Sequence, residues 1–292
     1  MANEINRDLQ CPYSIIDRDI ICEHKQGRVN IQDIRKLHNH DGYELVLFLG
    51  GDVTMIVESD MKKMQRGDMM LVPPLTFHGL DLEDPESYDR IVINIRYEYL
   101  QKMNTPDTDL SICFSRNQSG RMNAVHMDEE VLSEFVEIAE KLERSLEEDN
   151  YGKMLLARSY LSEFLILVCR RTDVLSEEER PRLMPPAVSR AFDYIEEHLT
   201  EDITVGSISE ALSYSYDHLS RVFKETTGTP LKRYINAKKI ALAQKYLSQG
   251  ISVYDVCFMI GYNNYTSFSR RFSEQIGESP KQFQLSHRVS WK

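Results

Sequence analysis

The chain has 292 residues, of which 41% are hydrophobic and 28% charged, and its formal net charge is −11. These proportions are typical of a globular protein with a buried core, and they exclude disordered and collagen-like chains. The longest apolar stretch, around residues 164–169, is too short to span a bilayer, and residues 1–10 lack the apolar core of a secretory signal. We therefore expect a cytoplasmic protein with no membrane partner.

The cysteine pattern also favours a cytoplasmic location. They are odd in number and scattered without CxxC spacing, at Cys11, Cys22, Cys113, Cys169 and Cys257. This pattern is typical of reduced thiols, not of a disulfide framework or a cysteine metal site.

The net charge is divided unevenly along the chain. Residues 215–292 carry twelve Lys and Arg against five Asp and Glu, a balance of +7, whereas residues 1–214 have a balance of −18. A basic segment on an acidic body is expected when only one end of a protein contacts phosphate. The C-terminal segment is therefore the candidate for binding nucleic acid.

The first part of the chain, about 15–99, has the pattern of β structure. Short apolar runs are separated by Gly, Asp and Pro residues, at 44–48, 53–57, 69–72 and 91–95. Gly50-Gly51-Asp52 has the composition of a tight hairpin turn between two of these strands. Many short strands at this spacing predict a small barrel or a double-sheet jelly roll.

A pair of helices is predicted over 128–171. From Val131 to Leu146 apolar residues recur at three- and four-residue steps, and acidic residues at 128–130 suit a helix N-terminus. The second helix, about 153–171, is apolar on more than one face. We expect the pair to cover the sheet and to form a homodimer interface, because excess apolar helix surface usually finds a partner.

Residues 173–186 have the composition of an interdomain linker, since they are charged, contain proline and show no apolar periodicity. This linker separates an N-terminal domain, 1–172, from an all-α C-terminal domain, 187–292. The predicted fold class is α+β with two domains.

The C-terminal domain contains an internal repeat. Two segments, beginning at Ile203 and Ile251, each have a capping hydroxyl, a helix-spaced apolar face, a short turn and a second helix. Both second helices contain a hydrophobic-Ser-Arg-x-Phe core and end in a glycine followed closely by proline. This is the pattern of a helix-turn-helix, whose second helix can lie in the major groove of DNA.

A long helix, 231–249, is predicted to join the two copies. It could place both second helices on one face of a duplex, about one helical turn apart. Its basic residues favour phosphate contact, at Lys232, Arg233, Lys238, Lys239 and Lys245.

Residues 187–285 resemble the DNA-binding domain of AraC/XylS-type transcription regulators. The resemblance lies in SRVFKETTGTPLKRYI (220–235) and IGYNNYTSFSRRFSEQIGESPKQF (260–283), with Cys257 and Gln284 standing where alanine and arginine are usual. It implies that the exposed face of each second helix reads DNA. The residues implied are Tyr216, Asp217, Ser220, Arg221 and Lys224 in the first copy and Tyr265, Thr266, Ser269 and Arg270 in the second.

The chemistry of these side chains suits that role. Arg221 and Arg270 can fork onto guanine or clamp a phosphate, and Asp217 would accept a hydrogen bond from cytosine. The alternative for each arginine is a solvated charge on a helix. Tyr214 and Tyr262 are better suited to packing in the turns than to base stacking.

The N-terminal domain carries a second pattern. His38, His40 and Glu44 form HxHx3E, and a Gly-Asp pair and a Pro-Pro pair precede His78. Together these resemble the two cupin motifs, with Leu75 and Leu82 standing where glycine and asparagine are usual.

The cupin resemblance implies a jelly roll, and it leaves three roles open for these four residues. In metal cupins the matching residues hold one divalent ion. In AraC-type regulators with an N-terminal cupin, the barrel generally senses a small molecule, so the histidines would line a pocket. Packing in the core is the third role.

We therefore expect a ligand-responsive transcription regulator with a cupin sensor, a dimerising helix pair and a double helix-turn-helix. The expected partners are double-stranded DNA, a second copy of the chain and a small molecule such as a sugar. No cofactor is expected, a divalent metal at the four cupin residues being the alternative.

Two other functions stay open. A metal-dependent cupin enzyme fused to a DNA-binding domain would need an open coordination position on a bound metal. An architectural DNA-binding protein would show no ligand-dependent change in DNA affinity. The sequence has no separate nucleophile-and-base motif and no phosphate-binding glycine loop, so we do not expect an enzyme.

Overall fold

The computed structural model describes residues 13–14, 16, 18–27, 37–82, 84–115, 122–172 and 184–287. From residue 14 onward the chain divides into two compact units, 14–183 and 184–292. Most of the predicted linker, residues 173–183, lies outside the described residues. Within the described ranges, no helix is both long enough and apolar enough to cross a membrane.

The N-terminal unit is rich in β structure. Its strands are β1 (Tyr13–Ser14), β2 (Ile20–Gln26), β3 (Asn39–His40), β4 (Tyr43–Gly50), β5 (Val53–Val57), β6 (Asp60–Lys63), β7 (Asp68–Val72), β8 (His78–Leu82), β9 (Asp89–Ile95) and β10 (Ala124–His126). A five-stranded sheet has the order β10-β7-β4-β9-β2, and a three-stranded sheet has the order β6-β5-β8. All neighbouring strands in these two sheets are antiparallel, and β1 and β3 pair separately.

Alternate residues of the central strand β4 face different layers, as the pleat of a strand requires. Leu45 and Leu47 pack into the larger core, which the five-stranded sheet shares with helices. Val46 and Phe48 pack into a second core together with residues of the three-stranded sheet, such as Met55. Glu44 precedes Val46 by two residues, so it belongs to the face that meets the smaller sheet.

Helices cover the other face of the five-stranded sheet. They are α1 (Tyr97–Met103), α2 (Ile112–Ser115), α3 (Glu129–Glu147) and α4 (Lys153–Thr172). The carboxylate of Asp128 caps α3 by accepting a hydrogen bond from Val131 N, and Phe135 meets Phe164 of α4 edge-on at 4.9 Å. The predicted helix pair over 128–171 is confirmed.

Two details of the predicted β region are wrong. The Gly50–Asp52 turn is not a hairpin, because β4 pairs with β7 and β9 whereas β5 pairs with β6 and β8. The turn carries the chain from one sheet to the other, and a Cβ on Gly51 (φ 104°) would lie 2.9 Å from the Cα of Tyr88. In addition, the last residues of the predicted β region, 97–99, belong to helix α1 (Tyr97–Met103).

The C-terminal unit is helical. Its helices are α5 (Pro186–His198), α6 (Val205–Leu212), α7 (Tyr216–Thr227), α8 (Leu231–Ser248), α9 (Val253–Met259), α10 (Tyr265–Ile276) and α11 (Pro280–Ser286). Helices α6 and α7 form the first helix-turn-helix, α9 and α10 form the second, and α8 connects them.

The capping residues of both copies match the sequence prediction. The side chains of Thr204, Ser215, Ser252 and Asn264 each accept a hydrogen bond from the backbone N–H three residues later. The C-caps Gly228 and Gly277 have left-handed φ angles of 66° and 90°. The predicted pair of helix-turn-helix motifs is confirmed.

Candidate functional site

The second helices α7 and α10 each have one buried and one exposed face. Leu219 and Phe223 of α7, like Phe268 and Phe272 of α10, are completely buried. The residues predicted to read DNA lie on the opposite faces. Exposed among them are Tyr216, Asp217, Arg221, Lys224, Tyr265, Thr266 and Arg270, and half-buried are Ser220 and Ser269.

The two arginines have equivalent surroundings in the two copies. Arg221 Nη1 lies 2.9 Å from Glu225 Oε2, and Arg270 Nε lies 3.8 Å from Glu274 Oε1, each pair being one helical turn apart. Exposed ion pairs of this kind contribute little stability. Both guanidinium groups therefore remain available to a stronger anion such as a phosphate.

The turn tyrosines pack within the protein. Tyr214 stacks near His218 with ring centroids 5.6 Å apart, and Tyr262 lies 5.6 Å from Phe268. This agrees with packing in the turns.

The basic connector departs from the sequence prediction at two positions. Lys239 is 5% exposed, so it cannot reach a phosphate, and Lys238 Nζ lies 3.0 Å from Glu196 Oε2. Lys232 and Lys245 are exposed, as a phosphate contact requires. Sequence alone could not separate them, because the side of the connector helix that is covered depends on long-range packing, here by the loops at Glu201 and Gly261.

Cys257 and Gln284, which stand where alanine and arginine are usual in the AraC/XylS-type pattern, both fit the fold. Cys257 is fully buried in the core around Phe268. Gln284 is 6% exposed, and its Nε2 donates a hydrogen bond to the carbonyl oxygen of Ile251 at 2.5 Å, which holds α11 against the start of the second helix-turn-helix.

In the N-terminal unit the four cupin residues meet in one polar cluster, with Glu44 at its centre. Glu44 Oε2 lies 2.9 Å from His40 Nε2 and 2.8 Å from His78 Nε2. His38 joins through two backbone hydrogen bonds with His78, and the ring centroids of these two residues are 4.2 Å apart. Residues 40 positions apart are thus brought together by β3, β4 and β8.

The cluster has an unusual balance of donors and acceptors. The second ring nitrogen of His40 faces Gly42 O at 2.9 Å, and that of His78 faces Thr76 O at 3.0 Å. Both nitrogens of each ring therefore face groups that only accept, while a neutral imidazole has one N–H to donate. Extra protons or a cation must supply the missing positive charge around Glu44.

Charge pairing also shifts acid–base equilibria here. Burial by itself raises the pKa of Glu44, but contacts with His40 and His78 hold it well below its ordinary value. Burial lowers the pKa of His78, yet the Glu44 carboxylate beside it leaves that pKa raised overall. The ionised carboxylate is therefore the stable form of Glu44.

Three side chains of the cluster have the spacing of metal ligands. Single ligand atoms of His38, Glu44 and His78 all lie within 4.8 Å of one another. His78 Nε2 is buried and, within the part of the chain that the structure describes, has no aligned hydrogen-bond partner, although it is close to Glu44. Its other nitrogen contacts a backbone carbonyl, as metal-binding histidines usually do. These residues fit a divalent ion.

Leu75, which stands where the cupin motif usually has glycine, has an unusual backbone conformation. Leu75 has a φ of 63°, in the left-handed region that glycine adopts freely, and its N–H donates to His40 O. The glycine expected there by the cupin resemblance thus matches a real backbone requirement, which leucine meets at a steric cost.

Sequence reasoning missed two polar residues beside the cluster. Asn94 of β9 is paired with Glu44 in the sheet register and is half-buried. Asn39 is completely buried, and among the described residues its Oδ1 has no hydrogen-bond partner. A signal existed for Asn94, because it is the one polar residue in the apolar run 91–95.

Comparisons with known proteins agree with the helix-turn-helix geometry. A family model described as a helix-turn-helix domain matches residues 208–286. The HTH-type transcriptional activator AarP of Providencia stuartii is 32% identical over 100 residues, which are 34% of this chain and 74% of AarP.

Longer but weaker matches cover both units. An HTH-type transcriptional regulator of Staphylococcus aureus (strain MSSA476) is 21% identical over 257 residues, which are 88% of this chain and 33% of that protein. The chain thus spans about a third of the length of such relatives. A solved structure of apo ToxT from Vibrio cholerae covers 93% of this chain and 98% of its own at 13% identity, with a TM-score of 0.40.

The AarP match extends over most of that activator, and the residues matched by the family model run from within α6 to the end of α11. The chain belongs to the AraC-type helix-turn-helix transcriptional regulators.

Proposed function

We propose that the chain regulates transcription as a homodimer that reads DNA with α7 and α10 and responds to a small molecule bound at the polar cluster of the N-terminal unit. The observation that carries the DNA-reading role is the repetition of one exposed arginine, Arg221 and Arg270, at equivalent positions of two helix-turn-helix motifs. The residues in the reading faces are those named from the sequence. Lys224 supplies a phosphate contact on α7.

The N-terminal unit serves as the sensor and has the jelly-roll architecture of a cupin. Two antiparallel sheets with a shared apolar core support this assignment. The match of Leu75 to a left-handed position supports the alignment with the second cupin motif. The domain limits are those predicted, with the sensor and helix pair in 1–172, a linker in 173–186 and the DNA-binding domain in 187–292.

The effector is a polar molecule such as a sugar. Glu44, the cluster histidines and Asn94 present several donors and acceptors on one face between the sheets. Hydroxyl groups both donate and accept, so a sugar can satisfy acceptor-rich surroundings that an apolar ligand cannot.

Regulation follows if the effector binds one arrangement of the dimer more tightly than another. A ligand shifts an equilibrium only by its differential affinity for the two states. The effector thereby changes how the two DNA-binding units of the dimer are presented to DNA.

The test begins with a DNA site selected from a random library by the full chain. Thermal unfolding with arabinose, xylose, galactose and glucose identifies any sugar that stabilises the protein, and DNA affinity is then measured with and without it. We expect a change of about tenfold in affinity or in the preferred half-site spacing. A stabilising sugar that changes neither quantity, nor transcription from the selected site, would contradict the coupling.

A divalent metal is the second candidate ligand, and the spacing of His38, Glu44 and His78 favours it. These residues would hold the ion, and His40, whose Nε2 lies 2.9 Å from Glu44 Oε2, would complete the set. A bound metal would supply Lewis acidity, which the enzyme alternative requires. The relatives are transcriptional regulators, so we propose that any such ion serves sensing.

Elemental analysis of the untagged full chain, purified without chelators, separates the two candidates. A near-stoichiometric metal that is lost in His78→Ala and kept in His24→Ala would establish the metal site. His24 is a fair control because it is an exposed histidine that also pairs with a carboxylate, Asp89 at 2.8 Å. Folded protein without metal would assign the histidines to the walls of an organic ligand site.

A further inference from the structure

A buried lysine lies on the connector helix of the C-terminal unit, and the DNA-reading proposal assigns it no role. Lys239 of α8 is 5% exposed, and burial lowers the pKa of its ammonium group. A buried charge is costly unless it is well paired. Its contacts must therefore contribute something that a leucine or methionine on this connector helix would not.

The ammonium group of Lys239 joins two loops that are far apart in sequence. It donates a hydrogen bond to the carbonyl oxygen of Glu201, in the loop before α6, and lies 3.4 Å from the carbonyl oxygen of Gly261, in the turn between α9 and α10. It also lies 5.6 Å from the centre of the Tyr262 ring. One side chain thus contacts the loop that leads into the first helix-turn-helix and the turn within the second.

The same two loops touch without any side chain between them. Gly261 has a φ of 72°, and a Cβ there would lie 2.4 Å from Glu201 O and 2.6 Å from Thr200 O. We call this contact of residues 200–202 with residues 261–263 the seam. Only glycine permits so close an approach.

A second polar link closes the seam at its edge. Asn263 Nδ2 donates a hydrogen bond to Asp202 Oδ2 at 2.9 Å. Both of these residues are exposed, in contrast to Lys239, so they can be altered without opening the core.

We propose that Lys239 is a positioning residue, which clamps the seam and so fixes the separation and relative orientation of α7 and α10. The connector α8 joins the two motifs along the chain. The seam adds a second point of attachment, between the loop that leads into α6 and the turn from which α10 begins. A rigid pair of reading helices fits only DNA whose two sub-sites have one spacing.

This inference rests on the proposal that α7 and α10 both read DNA, and its own prediction concerns spacing. The full chain is used with its selected DNA site, and the two sub-sites are mapped by the losses in Arg221→Ala and Arg270→Ala. Affinity is then measured for versions with one base pair added or removed between the sub-sites. We expect the wild type to prefer its own spacing by about tenfold.

Lys239→Met keeps an unbranched side chain of nearly the same length and removes its charge. We expect the preference for the selected spacing to fall to about twofold, because the seam no longer holds the two motifs in register. Lys239→Arg, which keeps a donor for the carbonyls, should retain most of the preference. A merely stabilising residue would lower the melting temperature and leave the ratio of affinities unchanged.

Lys245→Met is the matched control, because it removes the same charge from an exposed position of the same helix. It should weaken binding equally at every spacing and reduce the salt dependence, as the loss of a phosphate contact does. The spacing preference should stay near that of the wild type.

Asp202→Ala and Asn263→Ala keep the inference testable should Lys239→Met fail to fold. Each should relax the spacing preference in the same direction, and the double variant should do so no more than either single one. Unchanged spacing preference in these variants and in any folded Lys239→Met would overturn the clamp. Unchanged binding in both arginine variants would instead overturn the DNA-reading assignment.

Discussion

At the scale of single residues, Leu75 adopts a left-handed backbone conformation that favours glycine. Left-handed φ costs an L-amino acid with a Cβ about 1–2 kcal/mol, and glycine avoids this cost. Leu75 is held there because its N–H donates to His40 O at 2.8 Å, beside the polar cluster. This hydrogen bond therefore stabilises the strained backbone of the loop that leads into His78.

Substitutions at Leu75 separate strain from packing. Leu75→Ala keeps the Cβ and hence the strain, whereas Leu75→Gly removes both the side chain and the strain. We expect the glycine variant to be more stable than the alanine variant by about 1 kcal/mol in denaturant unfolding, although alanine is usually the better residue. Equal stability of the two variants would show that φ is relaxed at this position in solution.

The two exposed arginines of α7 and α10 lead to a second prediction. Arg270→Ala should weaken binding to the selected DNA site by about 1–3 kcal/mol and relax base preference at one position, as loss of a bidentate contact to guanine does. Arg221→Ala should act similarly at the other sub-site. Binding curves on site variants measure both effects.

Glu274 offers the control for Arg270. In the free protein its carboxylate lies 3.8 Å from the Arg270 guanidinium. Glu274→Ala removes a negative charge from the DNA-facing side and releases the arginine, so its binding should equal or exceed that of the wild type. Weaker binding in Glu274→Ala, or wild-type binding in Arg270→Ala, would remove Arg270 from the reading face.

At the scale of elements, the helices of the C-terminal unit could be predicted closely because their ends depend on local chemistry. Thr204, Ser252 and Asn264 cap helices with side chains that reach only three residues ahead. Gly228 and Gly277 end helices by adopting φ angles that other residues resist. Such signals lie within a few residues of the boundary they set.

The β elements were less predictable because their pairing is not local. The same glycines at 50–51 suit a hairpin or a crossing between sheets, and only the partners of β4 and β5 decide between these. Strand β10, Ala124–His126, joins the five-stranded sheet from a segment with too few residues to show a period of two.

Substitution by alanine should lower the unfolding free energy by different amounts at two glycines of the second helix-turn-helix. Gly261 and Gly277 both have left-handed φ, 72° and 90°, so alanine costs each about 1 kcal/mol in strain. A Cβ on Gly277 has no atom within 4 Å, whereas one on Gly261 lies 2.4 Å from Glu201 O. Gly261→Ala should therefore lower the unfolding free energy by about 1–3 kcal/mol more than Gly277→Ala.

Denaturant unfolding of the two alanine variants, followed by circular dichroism, makes this comparison directly. The common strain cancels between them, so the difference reports the closeness of the seam alone. A difference near zero would mean that residues 200–202 and 261–263 do not pack as tightly in solution as the structure has them.

At the scale of the whole molecule, the polar cluster was predictable as a set of residues, but its arrangement was not. The spacing of His38, His40 and Glu44 on neighbouring strands brings them together whatever the rest of the fold. That Glu44 lies between two histidines, and that Asn94 lies beside it, depends on the register of β4 with β9 and on the isolated bridge between His38 and His78. Both pairings follow from long-range packing.

The helix pair gives the last prediction, which concerns assembly. Helix α4 buries Ala157, Leu161 and Leu165 against the unit, yet it also exposes Leu155 at 71% and Leu156 at 49% near its start. Adjacent exposed leucines with an exposed methionine one residue earlier form a patch that the fold itself does not require. Our proposal assigns this patch to contact with a second copy of the chain.

Leu155→Glu should convert the dimer to a monomer, because a charge at the centre of an apolar interface must be buried unpaired. Ser133→Glu is the control, since it adds the same charge at an exposed position of α3, outside the patch. Sedimentation equilibrium at micromolar concentrations should show dimers for the wild type and Ser133→Glu, with unchanged unfolding in both variants. A wild type that stays monomeric, or a Leu155→Glu variant that stays dimeric, would move the interface away from the start of α4, and the effector would then have to act through another surface.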